Sequence, residues 1–179
     1  MKLPRGNVRP TTGKVLSALF NILGASRSIR GARFLDLFSG TGEVALEAIR
    51  RGASAVVAVE SSLHQARLIK ARLSETRGES EARCVSADVR RALPILSREG
   101  AVFGVIFADP PYGMGWSEML PRLVAKHNSL LAPGGIFILE RSVRDGVVDP
   151  SGGKIFTERD DRIYGDTVLS IYRKITTEE

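Results

Sequence analysis

The sequence predicts an α/β fold in which a mostly parallel sheet carries helices on both faces and ends in an antiparallel hairpin. Three observations predict it. Strand-like and helix-like segments alternate along most of the chain. A glycine-rich turn follows the first strand-like segment and opens a helix. The last two strand-like segments are separated only by Tyr164-Gly165-Asp166, too short for a crossover.

The elements follow in order. A first helix is expected over Thr12–Leu23, capped by Thr11 or Thr12, with Val15, Leu16, Leu19, Phe20 and Leu23 at helical spacing. A strand over Arg33–Leu37 leads through the turn ending at Gly42 to a helix reaching Arg51. A second strand, Ala55–Glu60, precedes a helix from Ser62 to Thr76 with an apolar face of Leu63, Ala66, Ile69 and Leu73. The polar stretch Arg77–Glu81 reads as a loop, Ala82–Ser86 as a third strand, and the segment after Asp88 as a helix through Leu96. Val102–Ala108 is the most apolar strand and so a central one. A helix over Glu118–Ala125, the turn Ala132-Pro133-Gly134-Gly135 and a strand over Ile136–Glu140 follow. Ile155–Arg162 and Thr167–Arg173 then form the hairpin, making seven strands.

The 179 residues suit one domain, with 1–23 as a basic arm and first helix and 33–173 as the core. The single cysteine, Cys84, forms no intrachain disulfide and fits a reducing compartment. The longest apolar run, Ala101–Ala108, is too short to span a bilayer, and MKLPRGN lacks the apolar stretch of a secretory signal. The net charge of +6 favours a polyanionic partner. The distribution sharpens this: residues 1–14 carry Lys2, Arg5, Arg9 and Lys14 with no acid, which suits phosphate contact.

Acids stand at four strand ends. Gly40-x-Gly42-x-x-Ala45 satisfies a loose dinucleotide fingerprint, and Glu60 sits twenty positions past Gly40, where a carboxylate can accept from ribose hydroxyls. Asp36 precedes the glycines, where it would repel a pyrophosphate but meet an ammonium, as in S-adenosylmethionine. Asp88 follows the third strand, where it either accepts from an adenine amino group or caps the next helix.

Asp109-Pro110-Pro111-Tyr112 ends the fourth strand. Asp109 offers a carboxylate, Pro110 a carbonyl, and neither proline has an N–H to donate. Such a stiff acceptor cradle suits an –NH2 group, and Tyr112 adds a face for a base to stack on. Two acceptors on the hydrogens of an exocyclic amine return electron density to nitrogen and aim its lone pair at a sulfonium methyl. Asp109 then stabilises the developing positive charge. Trp116 either flanks the substrate or packs a helix. His64 reads as exposed and His127 as a helix-end cap. Two histidines and one cysteine far apart give no metal site. Ser39 and Thr41 read as turn residues, with no histidine to activate them.

Arg9-Pro10-Thr11-Thr12, Lys14-Val15, Ala18–Leu23, Asp36–Gly42, Asp109–Tyr112 and Tyr164-Gly165-Asp166-Thr167 occur here in one order. Together they resemble the RsmD family, methyltransferases acting on N2 of a guanine in 16S ribosomal RNA, over nearly the whole chain. The resemblance implies a class I S-adenosylmethionine-dependent methyltransferase fold, Rossmann-like, with seven strands and the last one antiparallel. It implies cofactor contacts at Asp36, Phe38, Ser39, Gly40, Thr41, Gly42, Glu60, Asp88, Val89 and Asp109, and catalysis at Asp109, Pro110, Pro111 and Tyr112. It puts Arg9, Pro10, Thr11 and Thr12 near the active-site mouth, joining Arg5 as substrate contacts. The partner it implies is ribosomal RNA in a partly assembled small subunit, met in the cytoplasm by a monomer. Two departures stand out: family members begin with a short basic hairpin before the segment matching Lys2-Leu3-Pro4, and Gly13 stands where the family often has Asp.

Rival readings share parts of this pattern. An adenine-N6 DNA methyltransferase uses a similar cradle but is expected to carry a target-recognition insertion. A glutamine-N5 protein methyltransferase normally has Asn before Pro-Pro-Tyr. A non-catalytic RNA-binding assembly protein on the same fold has no need of the cradle. The acid at position 36 argues against an NAD-dependent oxidoreductase.

Overall fold

The computed structural model describes residues 13–26, 28–76, 80–146, 148, 154–157 and 159–176. The arm residues Arg5, Arg9, Pro10, Thr11 and Thr12 lie outside the described residues. The elements are α1 (Gly13–Ala25), β1 (Arg33–Leu37), α2 (Glu43–Arg50), β2 (Ala55–Glu60), α3 (Leu63–Ser74), β3 (Glu81–Ser86), α4 (Val89–Arg98), β4 (Phe103–Ala108) and α5 (Trp116–Lys126). A short 3-10 turn (Asn128–Leu130), β5 (Leu131–Ser142), β6 (Asp160–Tyr164) and β7 (Thr167–Arg173) complete the order.

The strands form one sheet, ordered β3-β2-β1-β4-β5-β7-β6. The first five run parallel, whereas β7 pairs antiparallel with both β5 and β6. Strand order reverses between β1 and β4, and a crevice opens outside the carboxyl ends at such a point.

Side chains alternate between the two faces of a strand, which sorts the core into two halves. Phe34, Val56, Ala58, Val105, Phe107, Ile136 and Ile138 pack under α1, α2 and α3. Leu35, Leu37, Val57, Val59, Ile106, Phe137 and Leu139 pack under α4 and α5. Because β1, β2 and β4 are covered on both faces, their residues are buried in continuous runs and not alternately, and apart from Asp36 in β1 those runs are apolar. Phe20 of α1 stacks on Phe34 near the start of β1, and Arg51 at the end of α2 lies over the same Phe20 ring. The second half of α1 therefore sits toward the amino ends of the strands, and Gly13 points toward the carboxyl ends.

Some boundaries differ from expectation. β5 begins at Leu131, so Ala132-Pro133-Gly134-Gly135 is an excursion inside the strand, not a turn before it. Phe103 pairs with Leu131 and Val105 with Ile136, leaving Ala132–Gly135 opposite Gly104. β6 begins at Asp160, five residues later than expected, and Phe156 stands before it in an isolated bridge to Lys174. Ile155 and Phe156 are apolar because they pack against the α4–α5 side of the core. α5 starts two residues early, at Trp116, after Gly115 in a left-handed conformation (φ 74).

Candidate active site

Four carboxylates line the carboxyl edge of the sheet on one face. Asp36 lies in register with Ala58 and Phe107. Two residues further along those neighbours are Glu60 and Asp109, on the same side by alternation. Ala108 pairs with Leu139, so the next residue of β5, Glu140, falls beside Asp109. The row Glu60, Asp36, Asp109, Glu140 thus crosses the switch point on the α1 side of the sheet. Reading the strand ends for acids finds the first three and passes over Glu140. The same signal is present at the end of Ile136-Phe137-Ile138-Leu139-Glu140.

The turn between β1 and α2 is tightly held. The Ser39 N–H donates to the Val59 carbonyl (2.9 Å), the Ser39 hydroxyl to the Asp36 carbonyl (2.9 Å), and the Gly42 N–H to the Ser39 carbonyl (2.7 Å). Ser39 is therefore a turn residue, as expected. Glu60 accepts from the Gly40 N–H (2.9 Å) and, through its other oxygen, from the Ser62 N–H (2.7 Å). A carboxylate has about four acceptor positions, so both oxygens keep room for ribose hydroxyls. Arg72 of α3, missed from the sequence, donates to the Thr41 carbonyl and pairs with Glu43, anchoring the turn from outside.

Phe38 has φ 65, a left-handed conformation that costs a bulky residue about 1–2 kcal/mol. Its ring meets Trp116 edge-on at 4.9 Å, and the Arg90 guanidinium lies over the same indole at 5.4 Å. Trp116 is 8% exposed within the α4–α5 core, which favours its packing role.

Asp36 is 1% exposed, and its Oδ2 has no hydrogen-bond partner among the described residues. Burial pushes its pKa from 3.8 to about 8, with the nearby Asp109 and Glu60 charges adding to the rise and the Ser39 and Ala45 hydrogen bonds opposing it. An ammonium brought against Oδ2 would satisfy the orphaned acceptor and restore ionisation. The residues present thus fit the methionine end of S-adenosylmethionine.

Past β4, Pro110 is buried, whereas Pro111 and Tyr112 are exposed. Tyr112 is 40% exposed and its phenol donates to Glu140 Oε1 at 3.3 Å. Burial of the hydroxyl end, with Glu140 and Asp109 nearby, pushes its pKa to about 12, so Tyr112 is a neutral phenol.

Asp88 caps α4, accepting from the Arg90 N–H (2.9 Å), and pairs through both oxygens with the Arg90 side chain. These bonds hold its carboxyl below the usual carboxylate range. The cap is thus formed and fills both acceptor positions of Oδ1, while Oδ2, which takes one bond from Arg90, keeps one for an adenine amino group, with the first-turn N–H of Val89 beside it. His64 is exposed and His127 caps the carboxyl end of α5. A groove of about 800 Å³ between α1 and the β6–β7 hairpin includes Lys14, Asn21, Arg162 and Tyr164 but none of the four acids.

Fold and site together define a class I S-adenosylmethionine-dependent methyltransferase. The family model described as "Conserved hypothetical protein 95" matches residues 1–173, and the chain belongs to this family, the RsmD family. The Ribosomal RNA small subunit methyltransferase D of Escherichia coli (strain K12) is 27% identical, covering 93% of this chain and 80% of its own length. That of Haemophilus influenzae is 28% identical, covering 88% and 82%. A solved hypothetical protein of Thermus thermophilus superposes with TM-score 0.76 at 30% identity, covering 99% of this chain and 92% of its own.

Proposed function

We propose that the protein methylates the exocyclic N2 amine of a guanine in 16S ribosomal RNA, acting as a cytoplasmic monomer on a partly assembled small subunit. The observation that carries this reading is the donor-free turn Asp109–Pro111 set beside Asp36 and Glu60 on one face of the crevice. The relatives named for small-subunit ribosomal RNA methylation support the RNA substrate.

S-adenosylmethionine, when bound, supplies an electrophilic methyl on a sulfonium. Asp36 receives the ammonium, and Glu60 the ribose hydroxyls. Asp88 and the Val89 N–H serve the adenine edge. The turn from Phe38 through Ser39, Gly40, Thr41 and Gly42 lets backbone approach closely. Asp109 and the Pro110 carbonyl accept the two amine hydrogens, Pro111 stiffens the turn, and Tyr112 stacks on the base. Holding nitrogen about 3–3.5 Å from the methyl supplies much of the rate. With the cofactor bound, the amine nitrogen would bond to the methyl as the sulfonium S–CH3 bond breaks, leaving a neutral thioether; the nitrogen, cationic beside Asp109, would then give its proton to solvent and leave the neutral N-methylated amine.

The target base must leave its stack to reach such a pocket. The direction of α1 supports a role for the arm: residues 1–12 precede Gly13, which points toward the carboxyl edge. Asp109→Ala is expected to cut turnover by at least ~10²-fold, far more than it changes cofactor affinity by calorimetry. Unchanged turnover would remove Asp109 from the chemistry.

A further inference from the structure

Tyr164 pairs with Thr167 across the two-residue turn Gly165-Asp166, and Ser142 of β5 pairs with Thr167 on its other side. Gly165 takes φ 63, the left-handed conformation such a turn needs. The turn therefore fixes Thr167 at the carboxyl edge of the sheet, next to the catalytic turn. There Thr167 lies diagonal to Glu140 on the same face of the β5–β7 pair, and the Tyr112 hydroxyl donates to Glu140 Oε1. Glu140 is 4% exposed, and burying a carboxylate at a strand end costs far more than burying an apolar residue. Its placement calls for a reason beyond packing.

We propose that Glu140 tethers the Tyr112 hydroxyl, with Thr167 walling the same spot, so that the exposed residue is held as a rigid stacking face for the target base. This rests on the base-methylating reading above. An unclamped ring at this exposure would sample several rotamers, and each base would have to freeze it on docking, which weakens productive binding by up to about tenfold. A ring tethered at its backbone and at its para oxygen is already set. The fixed base plane in turn fixes where its exocyclic amine lies relative to Asp109. Glu140 and Thr167 are positioning residues, acting on the base through Tyr112. The clamp also accounts for Tyr164-Gly165-Asp166-Thr167, which no step of the methyl transfer uses.

The test is a double-mutant cycle on ribosomal RNA methylation. Glu140→Ala is expected to lower kcat/KM about tenfold with cofactor affinity within about twofold, and Glu140→Gln, which still accepts the phenol proton, to stay within about threefold of wild type. In a Tyr112→Phe background, Glu140→Ala should cause no further loss. An equal loss in both backgrounds would overturn the clamp. Thr167→Val, nearly isosteric, provides the same cycle should Glu140→Ala fail to fold. Fluorotyrosine NMR reads the clamp without activity, because the chain has three tyrosines, at 112, 164 and 172. The Tyr112 resonance, identified by its loss in Tyr112→Phe, should shift in Glu140→Gln and in Thr167→Val while that of Tyr172 stays. An unmoved Tyr112 resonance would overturn the proposal. A wild-type protein that methylates no RNA would instead sink the reading it rests on, leaving the NMR result to decide the clamp.

Discussion

Asp36 is a carboxyl group that the fold holds against its own preference. Its pKa of about 8 means that the folded protein keeps a proton which the unfolded chain loses near 3.8. The folded state binds more protons across that window, so stability falls as pH rises from about 4 to about 8 and levels off above. Asp36→Asn removes the titration and keeps the shape. Urea denaturation should therefore find the variant close to wild type at pH 4 and more stable by at least about 1 kcal/mol at pH 8. The same variant should bind S-adenosylmethionine more weakly, since a neutral amide attracts an ammonium less. A residue whose removal stabilises the fold while weakening ligand binding is one retained for function. A variant no more stable at pH 8 would show that Asp36 is not buried as a strained acid.

Elements show where sequence pattern suffices and where it does not. Asp36 is read from the glycine turn behind it and Asp88 from its place before the next helix, whereas the strand ends at Glu60 and Asp109 are readable because the apolar runs Ala55–Val59 and Val105–Ala108 stop at an acid. Glu140 shares that signature. It escapes a sequence reading because no motif follows it; its meaning comes only from the register of β5 beside β4 and β7. β6 is misplaced by pattern for a related reason, since Ile155 and Phe156 look like strand but serve as core plugs ahead of a polar edge strand. Arg72 is invisible in the sequence, because its partners Thr41 and Glu43 lie some thirty residues away and only the packing of α3 on the turn brings them together. The glycine turn is legible, but not what enforces it. Gly42 sits at φ 80, and a Cβ there would lie 3.1 Å from Ile69 Cγ1. Gly100 has a similar φ of 69 with nothing within 4 Å among the described residues. Gly42→Ala should cost more stability than Gly100→Ala, which carries only about 1–2 kcal/mol of backbone strain. Equal losses in urea denaturation would mean that Ile69 yields freely and that the turn is less constrained than its geometry implies.

For the whole molecule, charge and direction matter more than any single contact. The basic arm, with Lys2, Arg5 and Arg9 and no acid, leads into a helix whose start faces the edge where the acids stand. On the proposed function, the arm would hold an anionic backbone while a neutral base enters the acidic crevice, which would separate affinity from chemistry. Neutralising Arg5 and Arg9 should weaken RNA binding and flatten its dependence on salt by up to about two counterions. An unchanged slope would locate the docking surface elsewhere, with Lys14 and Arg162 along the groove beside α1 the next cations to test.

The most direct measurement supplies isotope-labelled S-adenosylmethionine with small-subunit particles, free 16S ribosomal RNA and DNA, then identifies the labelled nucleoside. The account predicts label as N2-methylguanosine at a single position in the ribosomal RNA, strongest in the particle. Label on adenine N6, on DNA, or on protein alone would contradict it.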